Sequence, residues 1–396
     1  MRVIAPSVAW AFRERKPMPR ARYGDPMTPP RIPIAAPVIG EEEIANVMEA
    51  MRSGWISSLG AFIGQFERDF AAFCGVAHGV AVANGTMSLH LALVAAGVGP
   101  GDEVIIPSLT FVATANVVHY CGATPVFADS DPETWQLDPA KLEARITPKT
   151  RAIIPVHLYG HPCDMDAIMA IANRRGIPVL EDAAEAHGAE CRGRRVGSLG
   201  AIGCFSFYGN KIITTGEGGM CVTDNAALAE RLRLFRDHGM DPKRSYWHEV
   251  IGFNYRMTNL QAAVGVAQTK KMLGFIEKKR QIARWYADRL APLARAGRLR
   301  LHPEAAWARN VYWMYSVVLG EACPTLDVVR SRLADRGVDS RPFFHPIHTL
   351  PPYATGQRLP VAEQLASHGL NLPSGTGLGQ AEVERVALAL AEALEG

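Results

Sequence analysis

The chain predicts an α/β fold, a mostly parallel sheet covered by helices, followed by a smaller α+β domain. Three observations carry this. From Ile32 to about residue 225, short apolar runs alternate with helical segments. The runs are almost wholly apolar, as strands buried on both faces are, and alternation of this kind implies a parallel sheet. After Tyr255 the pattern changes to long helical stretches with few strands.

The elements follow in order. Val80–Ala83 reads as a strand that turns through Asn84-Gly85 into a helix, Thr86 to Ala96, with Leu89, Leu93 and Ala96 on one stripe and Gly97 as its stop. Strands are expected at 104–106, 125–128, 152–156, 178–181, 202–207 and 219–223. Asp138-Pro139 starts a helix with a cap and a proline at its first position, and Asp164 to Arg175 is a further helix ending at Gly176. Thr258-Asn259-Leu260-Gln261 reads as a capping box opening a helix to about Ala296, with a break near Gly274. A strand (Val311 to Leu319), a helix (Leu326 to Arg336), a proline- and aromatic-rich loop (Arg341 to Tyr353) and a last helix from Gln380 complete the pattern. The domains read as a basic leader over 1–31, a large domain over 32–257 and a small one over 258–396.

Composition narrows the class. The 396 residues are 48% hydrophobic and 20% charged, with a net charge of +3, an ordinary globular balance that points to neither nucleic acid nor membrane as partner. No run is apolar for long enough to span a bilayer, and the start lacks the pattern of a signal peptide. The seven cysteines are scattered without a C-x-x-C pair, which argues for a reducing, cytoplasmic setting. His157, His161 and Cys163 lie close together, but a closed zinc site needs a fourth ligand, so no metal is expected.

Lys211 stands out. It follows Phe205-Ser206-Phe207-Tyr208-Gly209-Asn210 and precedes Ile212-Ile213-Thr214-Thr215-Gly216, with Glu217 the nearest charge. A lysine so surrounded loses its proton readily and becomes a nucleophile toward carbonyls; a lysine at a strand mouth pointing to water is the alternative. Asn84-Gly85-Thr86-Met87-Ser88, at a helix start, suits a phosphate. Asp182 ends an apolar strand, where open α/β sheets form crevices, and its carboxylate can keep a pyridinium nitrogen protonated; a helix cap is the other reading. The Ser206 hydroxyl could reach the same phosphate, and Phe111, just after a strand, could stack on a flat ring or simply fill the core. A phosphate cradle, an acid, a stacking ring and an unencumbered lysine together are what pyridoxal 5′-phosphate requires.

These motifs, with Asp182-x-x-Glu185, Gly216-Glu217-Gly218-Gly219 and Gly252-Phe253-Asn254-Tyr255-Arg256-Met257-Thr258, resemble the DegT/DnrJ/EryC1/StrS family of sugar-nucleotide aminotransferases over residues 32 to 396. Trp55-Ile56-Ser57-Ser58, Pro155-Val156-His157-Leu158-Tyr159-Gly160-His161-Pro162 and Pro346-Ile347-His348-Thr349 resemble its GDP-perosamine-forming branch. The resemblance implies the PLP-dependent transferase fold type I (aspartate aminotransferase-like) and a homodimer with shared active sites. Gly85, Thr86, Met87, Phe111, Asp182, Glu185, Ser206 and Lys211 would then hold the cofactor, and Asn254 would reach the neighbouring subunit's phosphate. Trp55, Ser57, Ser58, Tyr255, Arg256, His345 and His348 would meet the sugar nucleotide. Lys211 and Asp182 would be the catalytic pair, moving the amine of L-glutamate to a 4-keto-6-deoxy sugar nucleotide, most simply GDP-4-keto-6-deoxy-D-mannose. Amination at C3, another nucleotide-linked keto sugar or sugar acid, and a non-catalytic sensor are the alternatives. Many relatives carry Gln where this chain has Glu185; an acid there needs a protonated partner that the sequence does not name. The family's dehydrating branch has His at the lysine position, so Lys211 argues for transfer.

Overall fold

The computed structural model describes residues 31–354 and 356–395. The basic leader therefore lies outside the described residues save Arg31, which pairs with Asp339 at 3.2 Å.

Seven strands form the main sheet: β1 (His78–Val82), β2 (Glu103–Pro107), β3 (Thr124–Ala128), β4 (Thr150–Ile153), β5 (Leu180–Asp182), β6 (Ile202–Ser206) and β7 (Gly219–Thr223). β3, β2 and β4 run parallel in that spatial order. Parallel bridges from Ile153 to Val179 and from Val156 to Asp182 carry the sheet on to β5, which pairs parallel with β6. β7 then runs antiparallel between β6 and β1. β2, β6 and β7 are buried almost throughout, as the apolar runs require. Every strand expected from the sequence in this region is present.

The helix Gly85–Ala95 differs from its reading as a one-stripe helix. Ser88, Leu89, His90, Leu91, Ala92, Leu93 and Ala95 are all buried. It packs on the sheet and against helices Ala113–Tyr120 and Ala226–Arg236, so it has no solvent face. The helix at Pro139–Leu142 is a single turn.

A second, antiparallel sheet orders Leu299–Leu301, Tyr315–Leu319, Gly369–Leu372 and Arg341–Pro342. Helices Leu326–Asp335 and Gln380–Glu395 contribute Val329, Leu333, Val386 and Leu390 to its core. The expected break at Gly274 is absent: one helix runs from Asn259 to Arg295, opened by the Thr258–Gln261 capping box. A glycine there costs about 1 kcal/mol against alanine. Packing outweighs it, since Val266, Met272 and Ile276 enter the large core and Ile282, Tyr286 and Leu290 the small one.

Candidate active site

The carboxyl ends of the parallel strands open onto a cavity of about 510 Å³. Asp182 arrives from the end of β5, Ser206 from the end of β6, Phe111 from the turn after β2, and Gly85 and Thr86 from the turn after β1. Lys211 follows β6 by a short loop whose turn is closed by its own N–H donating to the Tyr208 carbonyl at 2.9 Å. From the small sheet side come Trp313, Arg341 and Phe344.

Lys211 Nζ lies 3.6 Å from Glu185 Oε1 and 3.9 Å from the centre of the Trp313 ring. Burial lowers the Lys211 pKa below the ordinary lysine value, and the carboxylates of Glu185 and Asp182 oppose that. Burial likewise pushes Glu185 up to about 7, against the pull of Lys211 and the Tyr159 N–H. Glu185 thus has the partner the sequence could not name, and a second: its Oε2 accepts from the backbone N–H of Tyr159 at 2.9 Å. Tyr159 reaches this position with φ 55° in the left-handed region, an uncommon place for a bulky side chain. Its hydroxyl accepts from the Phe344 N–H at 3.1 Å, which links Glu185 to the aromatic wall.

Asp182 accepts from the Thr114 hydroxyl at 2.9 Å and the Ala184 N–H at 3.2 Å. Burial still raises its pKa, with both hydrogen bonds pulling the other way. The neighbouring Glu181 faces the opposite side and accepts from the N–H groups of Gly197, Leu199 and Gly200 while meeting His157 at 3.1 Å. Asn84 caps the helix Gly85–Ala95, its side chain accepting from Met87 N–H at 2.9 Å. The amides of Gly85 and Thr86, in the first turn, have no carbonyl a turn back to bind. Gly85 is pressed against β6: a Cβ added there would stand 2.6 Å from Ser206 Cβ and 3.0 Å from its Oγ. Phe111 is 55% exposed at the mouth, its ring 5.7 Å from that of Phe344.

The structure brings Gly85, Thr86, Phe111, Asp182, Glu185, Ser206 and Lys211 to one cavity. Met87 sits just behind, bound to Asn84. Trp55, Ser57, Ser58, Asn254, Tyr255, Arg256, His345 and His348 do not line it. Trp55 and Asn254 are exposed; Arg256 donates to Ser58 Oγ at 3.1 Å and pairs with Asp237. The Tyr255 hydroxyl meets His90 Nδ1 at 3.0 Å. His345 is exposed. His348 is buried, its ring held between Ser108 Oγ at 2.6 Å and Glu363 at 3.3 Å. His157, His161 and Cys163 are each bonded within the chain, and no cluster fit for a metal occurs among the described residues. The sequence reading missed Trp313, Arg341, Thr114 and Tyr159 as cavity or support residues. Tyr159 lies within the 155–162 run and Arg341 opens the proline- and aromatic-rich loop, but nothing local marks any of the four as a neighbour of the cavity.

A profile of the DegT/DnrJ/EryC1/StrS aminotransferase family matches residues 37–391. The chain belongs to this family. Among its relatives in that family, a GDP-perosamine synthase of Caulobacter vibrioides is 53% identical over 92% of this chain and 99% of its own length. One of Escherichia coli O157:H7 is 46% identical over 89% and 95%. The crystal structure of S. venezuelae DesV in complex with a ketimine intermediate is similar with a TM-score of 0.86 and 37% identity, over 93% of this chain and 100% of that one. As a member of the DegT/DnrJ/EryC1/StrS family the chain is a PLP-dependent aminotransferase of fold type I.

The cavity residues fit that cofactor. An aldehyde calls for an amine released from its proton near neutral pH, and burial moves Lys211 that way. A phosphate calls for unbound amides, available at the start of helix Gly85–Ala95, and only a glycine lets that backbone close on Ser206. A pyridinium calls for a buried carboxylate, which Asp182 is.

Proposed function

We propose that this aminotransferase moves the amino group of L-glutamate to C4 of a GDP-linked 4-keto-6-deoxy sugar, GDP-4-keto-6-deoxy-D-mannose, to give GDP-perosamine. The observation that carries the substrate is the 53% identity to a GDP-perosamine synthase along nearly the whole of both chains. The convergence of Lys211, Asp182 and Glu185 in one cavity supports the chemistry.

In this reading Lys211, Asp182, Phe111 and Glu185 would hold the cofactor's reactive end and ring, and Gly85, Thr86 and Ser206 would hold its phosphate. Bound there, pyridoxal phosphate supplies the carbonyl that takes up the amine and the electron sink for charge left at the donor carbon. Lys211 Nζ, once free, takes the proton from the donor Cα and, in the second half-reaction, delivers one to C4 of the sugar. Asp182, kept from water, holds a proton at the ring nitrogen. Phe111, Phe344 and Trp313 give the cavity an aromatic lining beside Lys211.

The reading includes a homodimer in a reducing, cytoplasmic setting. Met51, Trp55, Leu59, Tyr246 and Ile251 are more than half exposed, apolar side chains that a second copy would cover. Asn254, exposed three residues after Ile251, would complete the other copy's phosphate site, and Trp55, Ser57, Ser58, Tyr255, Arg256, His345 and His348 would border the nucleotide. Ile251→Asp should yield a monomer by light scattering, with weakened cofactor retention; a wild-type protein that is monomeric while turning over would refute the shared site.

The deciding assay mixes the cofactor-loaded enzyme with L-glutamate and a panel of keto-sugar nucleotides, followed by mass spectrometry. The expected products are 2-oxoglutarate and an aminated GDP sugar, both absent with Lys211→Ala. Amination of a UDP-linked 3-keto sugar, with the GDP sugar untouched, would overturn the substrate assignment.

A further inference from the structure

One buried cation has no part in the chemistry above. Lys279, on the helix Asn259–Arg295, is 4% exposed. Its Nζ donates to the carbonyls of Trp313 at 2.9 Å and Ser374 at 2.8 Å. Among the described residues no carboxylate forms an ion pair with it. Burial alone lowers its pKa, to about 7. An ammonium without an acid is costly to bury, and an apolar side chain of the same length would fill the space. What the amine provides is a fixed backbone at Trp313.

Trp313 is held at its other end too. Its indole N–H donates to the carbonyl of Asn210 at 2.7 Å, one residue before Lys211. Between these anchors the ring lies 3.9 Å from Lys211 Nζ. An indole face favours a cation over the neutral amine, so the ring's placement governs how much of Lys211 is free amine at a given pH. Lys279, Lys211, Asn210 and Gln268 also line one narrow cleft.

We propose that Lys279 is a positioning residue for the amino transfer, acting through the Trp313 carbonyl to hold the indole against Lys211. The inference rests on the assignment of Lys211 as the reacting amine. Lys279 touches neither substrate nor cofactor in this scheme; it fixes the surface that tunes the residue that does.

The test reads Lys211 itself in cofactor-free, full-length protein. Wild type, Lys279→Met, Lys279→Arg and Trp313→Leu are labelled with trace acetic anhydride across the neutral-to-alkaline range, and acetylation is quantified by peptide mass spectrometry. Loss of the ring contact should speed Lys211 labelling at neutral pH by about three- to tenfold in Lys279→Met and Trp313→Leu. Lys279→Arg, which keeps the donors, should stay near wild type, and exposed Lys243 should react alike in all four. A Lys279→Met or Trp313→Leu profile superimposed on wild type overturns the proposal. Should Lys279→Met not fold, as judged by circular dichroism, Lys279→Gln, too short to reach both carbonyls, takes its place and should speed Lys211 labelling in the same direction, a profile superimposed on wild type overturning the proposal. No sugar or amino donor enters this experiment, so its failure and the failure of the transfer assay are separate results.

Discussion

Lys211 Nζ and Glu185 Oε1 stand 3.6 Å apart in one cavity, opposite charges that burial drives toward neutrality. Below about pH 7 Glu185 carries its proton, and above it the carboxylate supports the charge on Lys211. Infrared difference spectra of cofactor-free protein should therefore contain a protonated carboxyl band that fades through neutrality. That band should vanish in Glu185→Gln, where the loss of the carboxylate also lowers the Lys211 pKa further. A spectrum unchanged by the substitution would mean that Glu185 is ionised throughout.

Asp182 depends on Thr114. Asp182→Asn should cut the rate of the first half-reaction by about 10³-fold, the scale of losing a preorganised charge at the reacting group. Thr114→Val removes one hydrogen bond to a charged acceptor, worth about 1.5 kcal/mol or roughly tenfold. Stopped-flow absorbance of the cofactor follows both. Equal losses in the two variants would mean that Thr114 does more than support Asp182.

Gly85 has no room for a methyl group. In Gly85→Ala the added carbon would fall 2.6 Å from Ser206 Cβ, so the turn and β6 must part. Overpacking of this kind costs about 1–3 kcal/mol, and the proposed phosphate cradle opens with it. The cofactor dissociation constant, from equilibrium dialysis, should rise about tenfold or more. Cofactor affinity equal to wild type would place the phosphate elsewhere.

Glu181 serves the fold rather than the chemistry. Its carboxylate accepts from three backbone N–H groups in the turn before β6. Glu181→Ala strands these donors and should destabilise the protein by about 3 kcal/mol or more, seen as a lower midpoint in urea denaturation. Because Glu181 adjoins Asp182, the loss should also weaken cofactor binding.

Much of the cavity's lining is legible in the sequence. Lys211, Asp182, Ser206 and Gly85 each sit at the end or start of an element, and local spacing alone fixes such positions. Trp313, Arg341 and Phe344 were not legible as neighbours of Lys211, because only the packing of the small sheet against the large one brings them there. Helix Gly85–Ala95 misled in another way: an apolar stripe was visible, but burial all round depends on what lies on the far side. At Gly274 a local preference lost to packing along the whole length of a helix.

That helix sets how the cavity can be entered. Its 37 residues form one shaft roughly 55 Å long, rooted in both hydrophobic cores. Asp182 ends β5 of the large sheet, while Trp313 is held to the shaft by Lys279. Any swing of one wall away from the other must bend this helix, whose stretch between the two cores holds no proline, so it acts as a spring and not as a loose joint. Admission of a bulky nucleotide therefore falls to the rim, where Phe111, Tyr208 and Arg341 are exposed.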